Sequence, residues 1–228
     1  MIYFCQCLEA INVFLEINAY EAINAFAEIP ALCPYLHLPI QSGSDRILER
    51  MGRAHTAEFY LDWVQQFRDA VPHGAIASDF IVGFPGETDA EFEETLEACR
   101  QARFMKVHVF PFSRRKGTPA ADFDNQVKPE VRKERCRILG QLERDLAEDY
   151  YRTLVGRDLE VLIERESRDR PGWVRGTDRR YAPVELPGAS HDIGTFVSAR
   201  GEAADRQHVS ARRVSPQRVG TEALVGSL

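Results

Sequence analysis

Residues 75–88 read Ala75-Ile76-Ala77-Ser78-Asp79-Phe80-Ile81-Val82-Gly83-Phe84-Pro85-Gly86-Glu87-Thr88. The run up to Val82 is mostly apolar and bounded by turn residues, which reads as a strand. Gly83-Phe84-Pro85-Gly86 breaks it, because glycine and proline punctuate regular structure. Thr88 followed by Glu91 has the form of a capping box, and the spacing predicts a helix from there to about Ala102.

Working outward, the same grammar repeats. Upstream, Tyr35–Ile40 is a short strand-like run that ends in the turn Gln41-Ser42-Gly43-Ser44-Asp45, with a helix N-cap inside it. Residues 45–52 predict a short helix closed by Gly52. Thr56 then opens a longer amphipathic helix carrying Phe59, Tyr60, Trp63, Val64 and Phe67, which ends near Pro72. An earlier helix over 17–29 is stopped by Pro30 and Pro34. Downstream, Lys106–Phe110 is a third strand, and a polar, basic loop runs from Pro111 to Thr118. A long helix with one charged face follows over 129–152. Strands separated by helices are the signature of parallel βαβ units.

From Gly156 the pattern changes. Leu159–Glu164, Trp173–Thr177, Tyr181–Leu186, Thr195–Ala199 and Val209–Val214 read as short strands punctuated by glycine and proline, as in a small β-barrel. The boundary falls near 152–156. The charge changes there too. Residues 1–151 carry 16 Lys and Arg against 24 Asp and Glu, whereas residues 152–228 carry 13 against 11, and all 13 are Arg. Arginine suits bidentate phosphate contact and base stacking. The net charge of −6 argues against a general coat of nucleic acid but leaves a local basic face open.

Cys5, Cys7, Cys33, Cys99 and Cys136 are too few and scattered for a disulfide framework, which points to a reduced, cytoplasmic setting. They do not make a metal site by spacing. The apolar start is interrupted by Glu9 and Glu16, lacks a basic leader, and is too short to span a bilayer, so no membrane partner is expected.

In parallel α/β sheets, ligands sit outside the carboxyl ends of the strands. Three loops occupy that edge: Gln41-Ser42-Gly43-Ser44, Gly83-Phe84-Pro85-Gly86-Glu87 and Pro111–Thr118. Each alone reads as a turn; together they suggest a shared site for a nucleotide-like ligand, with backbone N–H groups, hydroxyls, the Phe84 ring and the charges of Arg114, Arg115 and Lys116. Asp79 either points into a polar barrel mouth or faces solvent or a neighbouring arginine. His37 and His108 read as packed, hydrogen-bonded strand residues rather than ligands.

The segments LHLPIQSGSDRILERMGR at 36–53, DFIVGFPGETDAEFEETL at 79–96 and KVHVFPFSRRKGTPAADF at 106–123 resemble the radical-SAM methylthiotransferases. The resemblance extends over about residues 20–215. The form HVFPFSRRKGTPAA is most similar to the MtaB branch, which adds a methylthio group to C2 of N6-threonylcarbamoyladenosine beside the tRNA anticodon. The MiaB branch, which acts on isopentenyladenosine in tRNA, is the alternative, and so is a non-catalytic RNA-binding fragment.

The resemblance implies the C-terminal half of a TIM-like radical-SAM barrel over 1–152, a TRAM-like RNA-binding β-barrel over 153–218 and a tail over 219–228. It implies that Gln41, Ser42, Gly43, Asp79, Gly83, Phe84, Pro85, Gly86 and Glu87 border S-adenosylmethionine, and that Phe112, Ser113, Arg115, Gly117 and Thr118 line the cavity mouth. Arg175, Arg179, Arg180, Arg212 and Arg213 would contact the anticodon region of tRNA. The family also holds two 4Fe-4S clusters on cysteines, three of them in an N-terminal domain and three more in a CxxxCxxC motif. Neither set is present in this sequence. Residues 1–16 do not fit the family's usual approach to the first strand. The expectation is a truncated or frameshifted product, inactive alone, whose open barrel edge invites another chain.

Overall fold

The computed structural model describes residues 19–214. The apolar start with Cys5 and Cys7, and the tail expected at 219–228, lie outside the described residues.

Helix α1 spans Ala19–Glu28 and strand β1 spans Tyr35–His37. Helices α2 (Asp45–Arg50) and α3 (Ala57–Ala70) precede β2 (Ala75–Val82). Helix α4 (Asp89–Ala102), β3 (Lys106–Pro111) and α5 (Pro129–Arg152) complete the first module. Its sheet has the order β1-β2-β3, and both pairings are parallel.

The alternation of β2 decides what each face does. Ile76, Phe80 and Val82 face the helices and join Trp63, Val64 and Phe67 of α3, Phe92 and Leu96 of α4 and Leu139 of α5 in one core. Ser78 sits on that buried face and is satisfied: its hydroxyl donates to the Leu38 carbonyl at 2.9 Å and accepts from the Ile40 N–H at 3.0 Å. Tyr60 reaches the same carbonyl at 2.6 Å, and burial pushes its phenol well above its ordinary pKa. The opposite face of the sheet carries His37, Asp79 and His108.

Strand β1 is shorter than the run Tyr35–Ile40 suggests. Pro39 has no N–H to give the ladder. The chain returns to β2 only as an isolated bridge between Gln41 and Phe80, with Gln41 in the left-handed region at φ 78°. The helix starts match their sequence signals. Thr56 accepts from Phe59 N–H, and Thr88 and Glu91 form a full capping box.

After α5 come β4 (Asp158–Glu166), β5 (Trp173–Asp178), β6 (Pro183–Pro187), β7 (Phe196–Ala204) and β8 (Val209–Arg213). They close into a five-stranded barrel in the order β4-β5-β6-β8-β7, with the parallel β6–β8 pair completing the ring. Closure removes the sheet edges. Leu159, Val161, Ile163, Val174, Val184, Leu186, Ala199, Val209 and Ala211 fill the interior. Tyr181 belongs to the preceding turn, not to β6, because its φ of 61° is incompatible with a strand.

The barrel's core is continuous with the sheet. Ala75 and Met105, at the start of β2 and just before β3, pack with Ala147 and Tyr151 of α5 and with the barrel interior. Helix α5 therefore serves two cores: Leu139 lies in the first, and Ala147 and Tyr151 lie in the second. Tyr150 donates to the His73 carbonyl at 2.8 Å, and Arg179 donates to the carbonyls of Pro30 and Leu32. Among the described residues no helix is long and apolar enough to cross a membrane.

Two glycines separate packing from propensity. A Cβ on Gly176 would lie 2.0 Å from the Leu162 carbonyl oxygen, a backbone atom that cannot step aside. A Cβ on Gly140, inside α5, would meet only the Arg144 guanidinium at 3.8 Å. Gly176→Ala should destabilise by about 1–3 kcal/mol. Gly140→Ala should stabilise by roughly 0.5–1 kcal/mol. Urea midpoints of the two variants should move in opposite directions.

Candidate functional site

The three loops at the carboxyl ends of β1, β2 and β3 are held together by side chains from three helices. The first loop abuts α4. Gly43 N–H donates to Thr95 Oγ1 at 3.0 Å, and Ser42 Oγ accepts from Ser44 N–H at 3.2 Å. A Cβ at Gly43 would fall 2.5 Å from the Glu94 carbonyl oxygen and 2.6 Å from Thr95 Cα. The helix backbone thus accounts for the glycine at this position.

Glu91 is the hub between the first and second loops. Its carboxylate takes Arg46 Nε at 2.5 Å on one oxygen and Arg46 Nη2 at 2.7 Å on the other. It also accepts from the N–H and the hydroxyl of Thr88, each at 2.8 Å. Arg46 Nη2 then reaches the Gly86 carbonyl at 2.7 Å. One residue of α2 thereby ties the second loop to the start of α4. The Arg46 hydrogen bonds, aided by Thr88, hold the Glu91 carboxyl down at about 2, against an ordinary value of 4.5.

Glu87 is buried and faces α5. It accepts from Gly83 N–H at 2.7 Å and from Arg135 Nη1 at 2.5 Å. Arg135 also donates to Asp89 at 2.7 Å and lies over the Phe92 ring. Burial pushes the Glu87 carboxyl above its ordinary pKa, while the Gly83 N–H and Arg135 oppose that shift. Its Oε1 is buried and has no hydrogen-bond partner among the described residues. Gly83 adopts φ 71°, and a Cβ there would fall 2.2 Å from Arg132 Cγ. Arg132 in turn donates to the Phe112 carbonyl. Pro85 and Gly86 offer carbonyls to Arg50 and Arg46.

Phe84 does not present an open aromatic face. It packs with Ile47 and Phe112 in a small apolar cluster, edge-on to Phe112 at 5.2 Å and to Phe123 at 6.1 Å between ring centroids. Ser113, Arg115, Gly117 and Thr118, by contrast, are all exposed on the third loop, and the Thr118 hydroxyl donates to the Arg115 carbonyl at 2.8 Å. The structure thus gathers the first two loops into one locked unit beside an accessible third.

Asp79 lies beside two histidines. His37 Nε2 donates to Asp79 Oδ1 at 3.0 Å, and the His37 and His108 ring centroids are 5.6 Å apart. Asp79 and His108 are register partners across β2 and β3. Local sequence alone makes the two histidines separate, packed strand residues. The parallel register brings them onto one face, a long-range fact that local spacing does not carry.

The arginines expected on RNA all have internal partners. Arg175 pairs with Glu185 and Asp169, Arg180 with Asp178, Arg212 with Glu202 and Arg213 with Asp192. Arg179 holds carbonyls of the first module. Two others, Arg165 and Arg168, take no ion-pair partner among the described residues. With Asp169 and Arg175 they line a cleft of about 410 Å³. Nearby, the Arg170 guanidinium stacks over the Trp173 ring. The signal for Arg165 and Arg168 was available as a local arginine run at 165–175. That for Arg132 and Arg135 was masked by the many charges of α5.

Cys33, Cys99 and Cys136 are free thiols; Cys99 is buried in the helix core, and burial raises its pKa far above the ordinary thiol value. The only metal-capable group among the described residues is His37, Asp79 and His108. The described cysteines therefore do not fit an iron–sulfur cluster, which needs gathered thiolates.

The Glu91 clamp sets an acid limit. A carboxyl whose pKa is depressed by folding contributes stability above its unfolded pKa and loses it as pH falls towards the folded one. Stability should therefore drop between about pH 4.5 and about pH 2. Glu91→Gln should flatten that part of the urea-midpoint profile and lower stability at neutral pH. Arg135→Met, which leaves Glu87 buried without its cation, should cost about 3–5 kcal/mol.

The family model described as the radical SAM superfamily matches residues 3–99, which takes in most of the stretch 1–16. A tRNA-2-methylthio-N(6)-dimethylallyladenosine synthase of Maricaulis maris (strain MCS10) is 41% identical over 196 residues, which is 86% of this chain and 43% of the relative. Synthases of the same name from Erythrobacter litoralis (strain HTCC2594) and Thermobifida fusca (strain YX) are 48% identical over 155 and 143 residues, covering 68% and 63% of this chain and 34% and 29% of those relatives. The chain spans less than half the length of the curated relatives it matches. These names correct the expectation of an MtaB-type enzyme acting on threonylcarbamoyladenosine. That expectation rested on one short loop, and similarity along the greater part of the chain outweighs it. In both its α/β region and its five-stranded barrel, the chain resembles radical-SAM tRNA methylthiotransferases of the dimethylallyladenosine type.

Proposed function

We propose that this chain supplies the ligand-edge and RNA-gripping parts of a tRNA methylthiotransferase acting on dimethylallyladenosine. The observation that carries the reading is the 196-residue match to the Maricaulis maris synthase, too long to be confined to either module. On this reading residues 1–152 belong to a TIM-like radical-SAM barrel, residues 153–218 form a TRAM-like barrel, and 219–228 are a tail. Cluster ligands come from outside the described residues, either another segment or another chain meeting the open sheet.

S-adenosylmethionine, when bound, supplies the methyl group. Gln41, Ser42 and Asp79 would border it, with the accessible Ser113, Arg115, Gly117 and Thr118 at the mouth. The Glu87 Oε1, a buried side-chain atom without a hydrogen-bond partner among the described residues, is left for a ligand or an ordered water. Gly43, Gly83, Phe84, Pro85 and Gly86 would act from behind, by holding the loops in place. The clamp through Arg46 and Glu91 keeps the edge formed before any ligand arrives, which lowers the ordering cost of binding.

For RNA, contact by Arg175, Arg179, Arg180, Arg212 or Arg213 would first loosen an internal bond. Arg165 and Arg168 carry no such cost, and Trp173 with Arg170 offers a stacking surface beside them. The anticodon region of tRNA is the partner that fits this patch.

Binding of anticodon stem-loops bearing either dimethylallyladenosine or threonylcarbamoyladenosine tests the assignment. Tighter binding of the first is expected; preference for the second would sink it. Replacing Arg165 and Arg168 with alanine should lower the slope of log affinity against log salt by about 1.4–1.8, one phosphate being neutralised by each. Arg179→Ala should instead lower the thermal midpoint with little change in that slope.

A further inference from the structure

We propose that His37, Asp79 and His108 form a binding site for a single divalent transition-metal ion, separate from any iron–sulfur cluster. The three side chains come from β1, β2 and β3 and project from one face of the sheet. In the register, His37 pairs with Ala77, two residues before Asp79, and Asp79 pairs with His108. Same-face neighbours directly opposite or diagonal across adjacent strands are within reach of one another. Here one ligand atom from each residue lies within 4.8 Å of the others.

The donor set is two imidazole nitrogens and one carboxylate oxygen. Imidazole suits zinc, iron, cobalt and nickel, and a carboxylate adds the negative charge that holds a dication. Tetrahedral ligands at about 2.1 Å from a zinc ion are roughly 3.4 Å apart. His37 and Asp79 are already at 3.0 Å, so an ion replaces their hydrogen bond, and small rotations at χ1 and χ2 bring in His108. The side chains of His37 and Asp79 are 19% and 26% exposed, so an ion can enter and the remaining coordination positions stay open to solvent or ligand. The backbone beneath is fixed: β2 is the central strand, and its other face is buried against α3 and α4. The strand scaffold would be preformed, and only side chains would turn to close on the ion. It has no thiolate: Cys99 is packed on the opposite, helix-covered face of the sheet. The inference stands independently of the assignment to tRNA modification.

The test is titration of the metal-stripped chain with cobalt(II) and zinc(II). One equivalent should bind, with visible cobalt d–d bands and no thiolate charge-transfer band. His108→Ala and His37→Ala should each weaken binding at least ~10-fold while circular dichroism stays unchanged, because each removes one of three protein ligands. Histidine NMR spectra of the unaltered chain give a second measurement that needs no variant. Zinc should shift the imidazole signals of His37 and His108 and leave those of His55, His73, His191 and His208 in place. No binding, unchanged affinity in His108→Ala, a cobalt–thiolate band, or shifts confined to the other histidines would each overturn the proposal.

Discussion

The bidentate contact between Arg46 and Glu91 fixes the geometry on which the rest of the ligand edge depends. It is short, charge-assisted and backed by the Thr88 cap, so one carboxylate serves as helix cap, loop tie and anchor. Were it absent, the first loop would keep its approach to α4 through Gly43, and the second loop would be tied through Arg50, Arg135 and the Gly86 N–H bond to the Asn125 carbonyl. The second pair, Glu87 with Arg135, locks the same loop from the other side. A loop held by cations from α2 and from α5 has little freedom left, which suits a surface built to receive a ligand without rearranging.

Much of this was legible in the sequence. The helices after Thr56 and Thr88, the strand Ala75–Val82 and the long helix 129–152 follow from local signals: a capping residue, an apolar run bounded by turns, a proline at the first helical position. What was not legible depends on register and on distant partners. Nothing near Asp79 in the sequence announces His37 or His108, because parallel pairing places them side by side through long connections. Likewise, glycines 43 and 83 looked like places for a ligand to approach. A helix backbone and the stem of Arg132 take up that space instead.

The arginines of the barrel teach the same lesson about charge. Composition marked the module as arginine-rich, and most of those side chains turn out to neutralise acids or cap carbonyls within the fold. Only those lacking an internal partner keep their full charge available. Counting cations overstates a nucleic-acid surface unless each is set against its nearest carboxylate. The expectation of an MtaB-type enzyme rested on a single loop, whereas the similarity to dimethylallyladenosine synthases extends over 196 residues.

Helix α5 belongs to both cores, with its first turns beside the Gly83–Glu87 loop and its last turns packed against the barrel's core residues. At 1.5 Å per residue its 24 residues make a strut of about 36 Å. The distance between the barrel and the Gly83–Glu87 loop is therefore set by a count of residues rather than by a hinge. Adding or removing one residue in the middle of that strut would change its length by only about 1.5 Å but swing the barrel by about 100°. The strut can therefore be lengthened without turning one module against the other only in steps of about a whole helical turn.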